Sequence, residues 1–248
     1  MNEKPLGRKA YGHIPHLPGS RMGPGDHSCH EGQARICTLK ARDKHDHITV
    51  TEKLDGSNCS IARLEDGWIV ALTRAGYHAS TSRYEQHHFF DKWVMSQLPR
   101  WDSIKPGQRV VGEWLAQAHS TRYLLTGEPF VPFDLMVGER RLPHSALRAF
   151  CLASGLRHPM ILFDSVLSIN GAMHILNGTG FHGATDPVEG AVWRVERDEL
   201  IDKKKGGERH RVVDFLAKYV RPEKVDGCFL PEITGQPAIW NWSPDGQA

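Results

Sequence analysis

One lysine and the charged residues downstream of it set the chemistry open to this chain. Lys53 stands between a β-prone run, Ile48-Thr49-Val50-Thr51, and an Asp55-Gly56 turn. A strand that ends in such a turn holds its last side chain rigidly and presents it to solvent. A free lysine, with a pKa of about 10.4, is neutral only about one part in a thousand near pH 7. Neighbouring positive charge or desolvation is needed to make it a nucleophile. Further charges lie at or near the ends of other β-prone runs: Arg74, Glu113, Asp134, Glu189, Lys218 and Arg221. Singly, each is an ordinary strand-end charge. Together they comprise a nucleophile, carboxylates for a divalent cation and cations for phosphate oxygens, which is the set that phosphoryl or nucleotidyl transfer requires.

The elements that must position these residues follow from periodicity and turn chemistry. Residues 1–35, rich in Gly, Pro and His, read as an extended arm or lid with no regular helix. From Arg35 to Arg74 the pattern is β, with one strand at Ile48–Lys53 and a hairpin in which Asn58–Leu64 and Trp68–Thr73 flank Asp66-Gly67. Tyr84–Leu98 has helical spacing, with Phe89, Phe90, Trp93, Val94 and Leu98 on one core-facing stripe. Arg109–Trp114 and Phe130–Val137 are strands, the second placed at a sheet edge or made irregular by Pro132. Pro143–Ser154 reads as a helix stopped by Gly155, and Ser165–Leu176 as a weaker one interrupted at Asn170-Gly171. Glu189–Val195 and Arg211–Val220 are the last strands, and the chain beyond Pro222 is irregular. This order predicts an α+β fold of mainly antiparallel sheets with flanking helices: an arm (1–35), one catalytic body (36–222) and a tail packed on or near it (223–248).

Composition narrows the class. A net charge of +2 on 248 residues does not by itself argue for nucleic acid; Lys203–Lys205 with Arg209, His210 and Arg211 forms a local basic cluster, usually a solvated loop and less often a phosphate-facing surface. No apolar run has membrane-spanning length and the N-terminus lacks a signal-peptide pattern, so a cytoplasmic protein is expected, without membrane partners. The five cysteines are scattered and form no C-x-x-C pair. The histidine groups His27/Cys29/His30, His45/His47 and His87/His88 have no zinc-motif spacing.

Six short motifs in order carry a family resemblance. Lys53-Leu54-Asp55-Gly56 resembles the K-x-D-G nucleophile motif of the covalent nucleotidyltransferases. Thr73-Arg74-Ala75-Gly76, Gly112-Glu113, Phe133-Asp134, Glu189-Gly190-Ala191-Val192 and Lys218-Tyr219-Val220-Arg221 are similar to the arginine, G-E, F-D, E-G-x-V and final lysine motifs of that superfamily. Asn58, five residues after Lys53, the run Gly112–Leu115 followed by His119–Tyr123, and the arm Tyr11–Leu17 resemble the ATP-dependent RNA ligase branch.

The resemblance implies a nucleotidyltransferase domain. It also implies a ligase that joins RNA 5′-phosphate and 3′-hydroxyl ends through a lysyl-AMP intermediate on Lys53 and an adenylylated RNA end. Lys218 would be the second catalytic lysine. Glu52, Asn58, Arg74, Glu113, Phe133, Lys218 and Arg221 would bind the nucleotide, with Phe133 stacking on adenine. Glu113, Glu189 and Asp55 would hold Mg²⁺ or Mn²⁺, directly or through water. Asp134 would be a structural partner. Two departures accompany it. The final motif lacks the K-x-K spacing, leaving Arg221 as the candidate for the second role, and with 27 residues after Arg221 no C-terminal OB domain is expected. A DNA ligase, a capping guanylyltransferase and a non-sealing nucleotide- or RNA-binding module are the alternatives. An RNA end-processing kinase or phosphatase is a candidate partner.

Overall fold

Strand alternation decides which way Lys53 points. In β1 (Asp46–Lys53) the residues Asp46, Ile48, Val50 and Glu52 are buried, while His47, Thr49, Thr51 and Lys53 are partly exposed. The computed structural model describes residues 3–200 and 208–242. An eight-residue helix, α1 (Glu31–Thr38), precedes β1, and β2 (Ser57–Arg63), β3 (Ile69–Thr73), α2 (Glu85–Met95), β4 (Gln108–Trp114) and β5 (Phe130–Val137) follow it. Then come β6 (Arg140–Arg141), α3 (His144–Ser154), β7 (Ile161–Phe163), α4 (Ile169–Leu176), β8 (Gly190–Leu200), β9 (Arg209–Val220) and a one-turn α5 (Pro231–Thr234).

The strands form two antiparallel sheets, ordered β7-β1-β8-β9 and β3-β2-β4-β5-β6. The Leu54-Asp55-Gly56 turn carries the chain from the first sheet to the second. Each sheet has its own core. Val50, Trp193, Val195, Leu176 and Cys37 join β1 and β8 to α1 and α4. Phe90, Trp93, Trp101, Trp114, Phe130, Leu147 and Phe150 join β4 and β5 to α2 and α3. Fully buried side chains of this size each contribute about 1.5–3 kcal/mol, so each motif strand is fixed independently by its own helices.

Three local expectations change and one holds. Residues 31–35 belong to α1, so the arm ends earlier and the β pattern starts later than the sequence suggests. Ala34 and Cys37 are buried on the helix, and Gln33 completes a capping box at His30. Pro132 stands as expected, in an irregular stretch of β5 that pairs with β4 alone, since β6 reaches only Met136 and Val137. A bulge between Val111 and Gly112 places Gly112 opposite Pro132 and absorbs the missing donor. Asn170 and Gly171 continue α4, because Ser168 caps it by accepting from the Gly171 N–H at 3.0 Å. The segment past Pro222 contains α5 and a bridge from Trp240 to Gln117.

Residues 10–29 pair with the body. The Leu17 N–H donates to the Lys218 carbonyl at 2.8 Å, the Lys218 N–H to Pro15 at 2.9 Å, and the Arg21 N–H to Val220 at 2.9 Å. Ala10 and Tyr11 donate to the Arg74 carbonyl at 3.1 and 3.3 Å. The turn that carries Arg74 depends on Gly76, which has φ +89°; a Cβ there would collide with the Arg8 carbonyl. The arm is thus a strand-like edge of the first sheet, ending against the second.

Candidate active site

Register brings the charged strand ends together. Lys53 lies opposite Gly190, and Gly190 opposite Val220, so Glu189 and Lys218 fall beside the nucleophile candidate. Asn58 lies opposite Glu113, and Cys59 opposite Thr73, which places Arg74 one residue further on. Only glycine fits at position 190, since a Cβ would collide with the Tyr219 carbonyl. A cleft of about 720 Å³ results, lined by both sheets and the arm. Lys53, Asp55, Asn58, Arg74, Glu113, Phe133, Glu189 and Lys218 all line it.

At its floor is a chain of ion pairs. Lys53 Nζ donates to Glu189 Oε2 at 2.5 Å. Glu189 Oε1 and Asp55 Oδ1 each lie 2.7 Å from Lys224 Nζ. Asp55 Oδ2 accepts from the Ser120 N–H at 2.7 Å. Burial pushes the Glu189 carboxyl up, but Lys53 and Lys224 outweigh it and hold the group down at about 2. Glu113 shows the opposite balance. Burial, with Glu189 and Asp55 nearby, lifts it to about 7 against the pull of Lys53. Its Oε1 accepts from the Gly56 N–H at 3.0 Å and so fixes the turn after Lys53. Lys218 is lowered by burial and by the Lys53 charge, and its ammonium lies 3.5 Å from Asp26.

The remaining predicted residues divide. Asn58 Oδ1 is buried and has no hydrogen-bond partner among the described residues. Arg74 donates from Nη2 to the Gly12 carbonyl at 3.0 Å, and Phe133 packs edge-on against Tyr11 at 5.3 Å. Glu52 lies on the buried side of β1, where its Oε2 accepts from the Phe181 N–H at 3.0 Å and meets His182 Nδ1 at 2.8 Å. Asp134 is wholly buried between Tyr11, Arg141 and Arg194. Arg221 is not brought to the cleft. Its guanidinium donates to the Val188 carbonyl at 2.9 Å and to Pro187 at 3.4 Å. The second cation of the site is Lys224 instead, which sequence reasoning missed. Asp26 and His16 were missed too: His16 Nε2 lies 3.1 Å from Asp26, in reach of Lys218. Lys203–Lys205 lie outside the described residues, and Arg211 is paired with Asp198 at 2.9 Å.

Glu113, Glu189 and Asp55 are hard oxygen donors, which fits Mg²⁺ or Mn²⁺. Among the described residues no three metal-ligating side chains converge on one point. Two carboxylates and water suffice for a magnesium ion, and the point shared by Asp55 and Glu189 is taken by Lys224.

The model of the RNA ligase family matches residues 46–220, from the first residue of β1 to the last of β9. The chain belongs to the RNA ligase family. Two structures of a Naegleria gruberi RNA ligase, one with AMP and Mn and one with ATP and Mn, are similar at 14% and 15% identity, each with a TM-score of 0.50. Each comparison covers 83% of this chain and 59% of the other. An archaeal ATP-dependent RNA ligase is 22% identical over 71% of this chain and 44% of its own, with a TM-score of 0.47. This RNA ligase family chain therefore spans about half the length of the solved structures it matches. At such identities the Naegleria likeness is one of fold: the α+β arrangement of antiparallel sheets with flanking helices expected from the sequence. No curated protein matches the chain. No helix among the described residues is long and apolar enough to cross a membrane.

Proposed function

We propose that the chain is an ATP-dependent RNA ligase acting through Lys53. The neutral Lys53 amine attacks the α-phosphorus of ATP; the N–P bond forms, the bond to the β-phosphate oxygen breaks, and pyrophosphate leaves. An oxygen of an RNA 5′-phosphate then attacks the same phosphorus, the N–P bond breaks, and Lys53 leaves as its amine while AMP passes to the RNA end. A 3′-hydroxyl attacks that phosphate and AMP departs. The observation that carries this reading is the Lys53–Glu189 pair at 2.5 Å, at the floor of a cleft that also holds Lys218. Glu189 is the immediate partner of the Lys53 ammonium, and Lys218 is the cation for phosphate charge that develops as pyrophosphate leaves. Asn58, with its unpartnered oxygen, together with Arg74, Glu113 and Phe133, holds the nucleotide; Glu52 braces the wall behind Lys53 through His182. Mg²⁺ or Mn²⁺, held by Glu113, Glu189 and Asp55 directly or through water, would supply charge neutralisation for the phosphates. The five cysteines are all free thiols, which fits a cytoplasmic setting. An RNA end-processing kinase or phosphatase is the partner that would supply 5′-phosphate and 3′-hydroxyl ends.

The test is covalent labelling. Incubation with α-labelled ATP and Mn²⁺, followed by denaturation, is expected to leave label on the wild-type chain and none on Lys53→Ala. Label from GTP alone points instead to capping chemistry, and no label from ATP, GTP or NAD overturns the covalent mechanism in favour of a binding module. Better sealing of DNA than of RNA ends overturns the substrate class.

A further inference from the structure

We infer that Lys224 is a tethered cation that occupies the divalent-cation seat between Asp55 and Glu189 in the nucleotide-free protein and gives it up when a metal ion enters. The inference deepens the RNA ligase reading and depends on it only for the presence of a metal.

Lys224 Nζ is 2.7 Å from Asp55 Oδ1 and 2.7 Å from Glu189 Oε1, and its side chain is 6% exposed. The other oxygen of each carboxylate is already engaged, Asp55 Oδ2 by the Ser120 N–H and Glu189 Oε2 by Lys53. The two oxygens left for a cation therefore both end on this one ammonium. A magnesium ion sits at about 2.0–2.1 Å from its oxygens, closer than the ammonium does. An ion that ligates both atoms takes the place of Nζ, and two cations at such separation repel strongly.

The tether is built to release as well as to hold. Lysine is a compact point charge on a four-carbon stem, without the planar fork that locks arginine to a carboxylate. Its backbone is anchored on both sides. The Lys224 N–H donates to the Arg221 carbonyl at 3.2 Å, and the Gly227 N–H to Ser120 Oγ at 2.7 Å. A third carboxylate, Asp226, stands 3.7 Å from Nζ and is 58% exposed. The ammonium can pass from the buried pair to this outer partner without losing ionic contact.

Two measurements on the full chain test this. Amine acylation read by mass spectrometry is expected to leave Lys224 protected in metal-free wild-type protein and to modify it at least about tenfold faster at saturating Mn²⁺. Mn²⁺ binding, followed by the electron-paramagnetic-resonance signal of the free ion without nucleotide, is expected to be at least about tenfold tighter in Lys224→Met than in wild type. Lys224 that stays protected at saturating Mn²⁺ overturns the inference, as does binding by a folded Lys224→Met variant that is equal to or weaker than wild type. Absence of Mn²⁺ binding in both proteins overturns it as well. If Lys224→Met does not fold, the wild-type acylation result decides. Failure of these measurements while ATP still labels Lys53 removes only the role of Lys224; their success without labelling removes only the ligase reading.

Discussion

Two buried charge clusters in this molecule use similar residues to different ends. Around Asp134, the Tyr11 hydroxyl, Arg141 at 3.0 Å and Arg194 take both carboxylate oxygens, and the carboxylate is fully buried. Around Glu189 the cations are lysines, Lys53 and Lys224, and Lys53 keeps 20% of its side chain open to the cleft. The first cluster joins β5, β6 and β8 to the arm. The second has one face toward a ligand-sized space. Two arginines, each giving one nitrogen, and a hydroxyl hold Asp134 from three sides; lysine point charges can exchange one partner for another. What separates the closed brace from the cluster at the cleft floor is the choice of cation and one open side, not the number of charges.

The sharpest way to break this contrast is Lys53→Ala. It is expected to reduce covalent AMP labelling to background while the thermal unfolding midpoint stays within a few degrees of wild type; labelling that persists places both clusters in the same structural class. Asp134→Ala is expected to act in the reverse sense. Leaving the buried Arg194 with only Glu196, at 3.5 Å, costs up to about 3–5 kcal/mol, read as a lower urea midpoint, while the folded fraction still labels. Lys218→Ala is expected to slow labelling by about 10²–10³-fold, the usual cost of one charge-stabilising donor, with KM for ATP moved less than kcat.

The smallest effect is in pH. Glu113 is raised to about 7 from an ordinary 4.5, so its protonated form stabilises the fold below 4.5, and that contribution is lost as pH rises through 7. Glu189, held at about 2, contributes above 4.5 and loses its contribution only as pH falls toward 2. Glu113→Gln, which cannot ionise, is therefore expected to flatten the fall in unfolding temperature between pH 5 and pH 7.5. An unchanged slope assigns that fall to other groups.

The strands that carry these residues are legible in the sequence because period-2 burial and Asp-Gly turns are local signals. Lys53, Glu113, Glu189 and Lys218 can each be placed at a strand end from pattern alone. Their convergence comes from register, which no single strand contains. Helix α1 is hidden because its eight residues include Gly32 and few apolar side chains, and its capping box uses His30 where Ser or Thr is usual. Pro132 marks an edge or irregular strand in the sequence, and the bulge beside Gly112 is that irregularity. Lys224 gives no signal: it stands in an aperiodic stretch after Pro222, and only the path of that turn carries it back beneath Lys53. Arg221 stands one residue beyond the place of the missing lysine, and two carbonyls of the 187–188 segment claim its guanidinium.

The pairing of Pro15 and Leu17 with Lys218 has a consequence for the order of assembly. Contacts between residues about two hundred positions apart form late, because the loop between them must close first. During synthesis Lys53 leaves the ribosome long before β9 and Lys224 exist. An incomplete chain therefore has Lys53 but neither of the neighbouring ammonium groups nor the paired arm, and the charge cluster around Glu189 is completed only after the last strand.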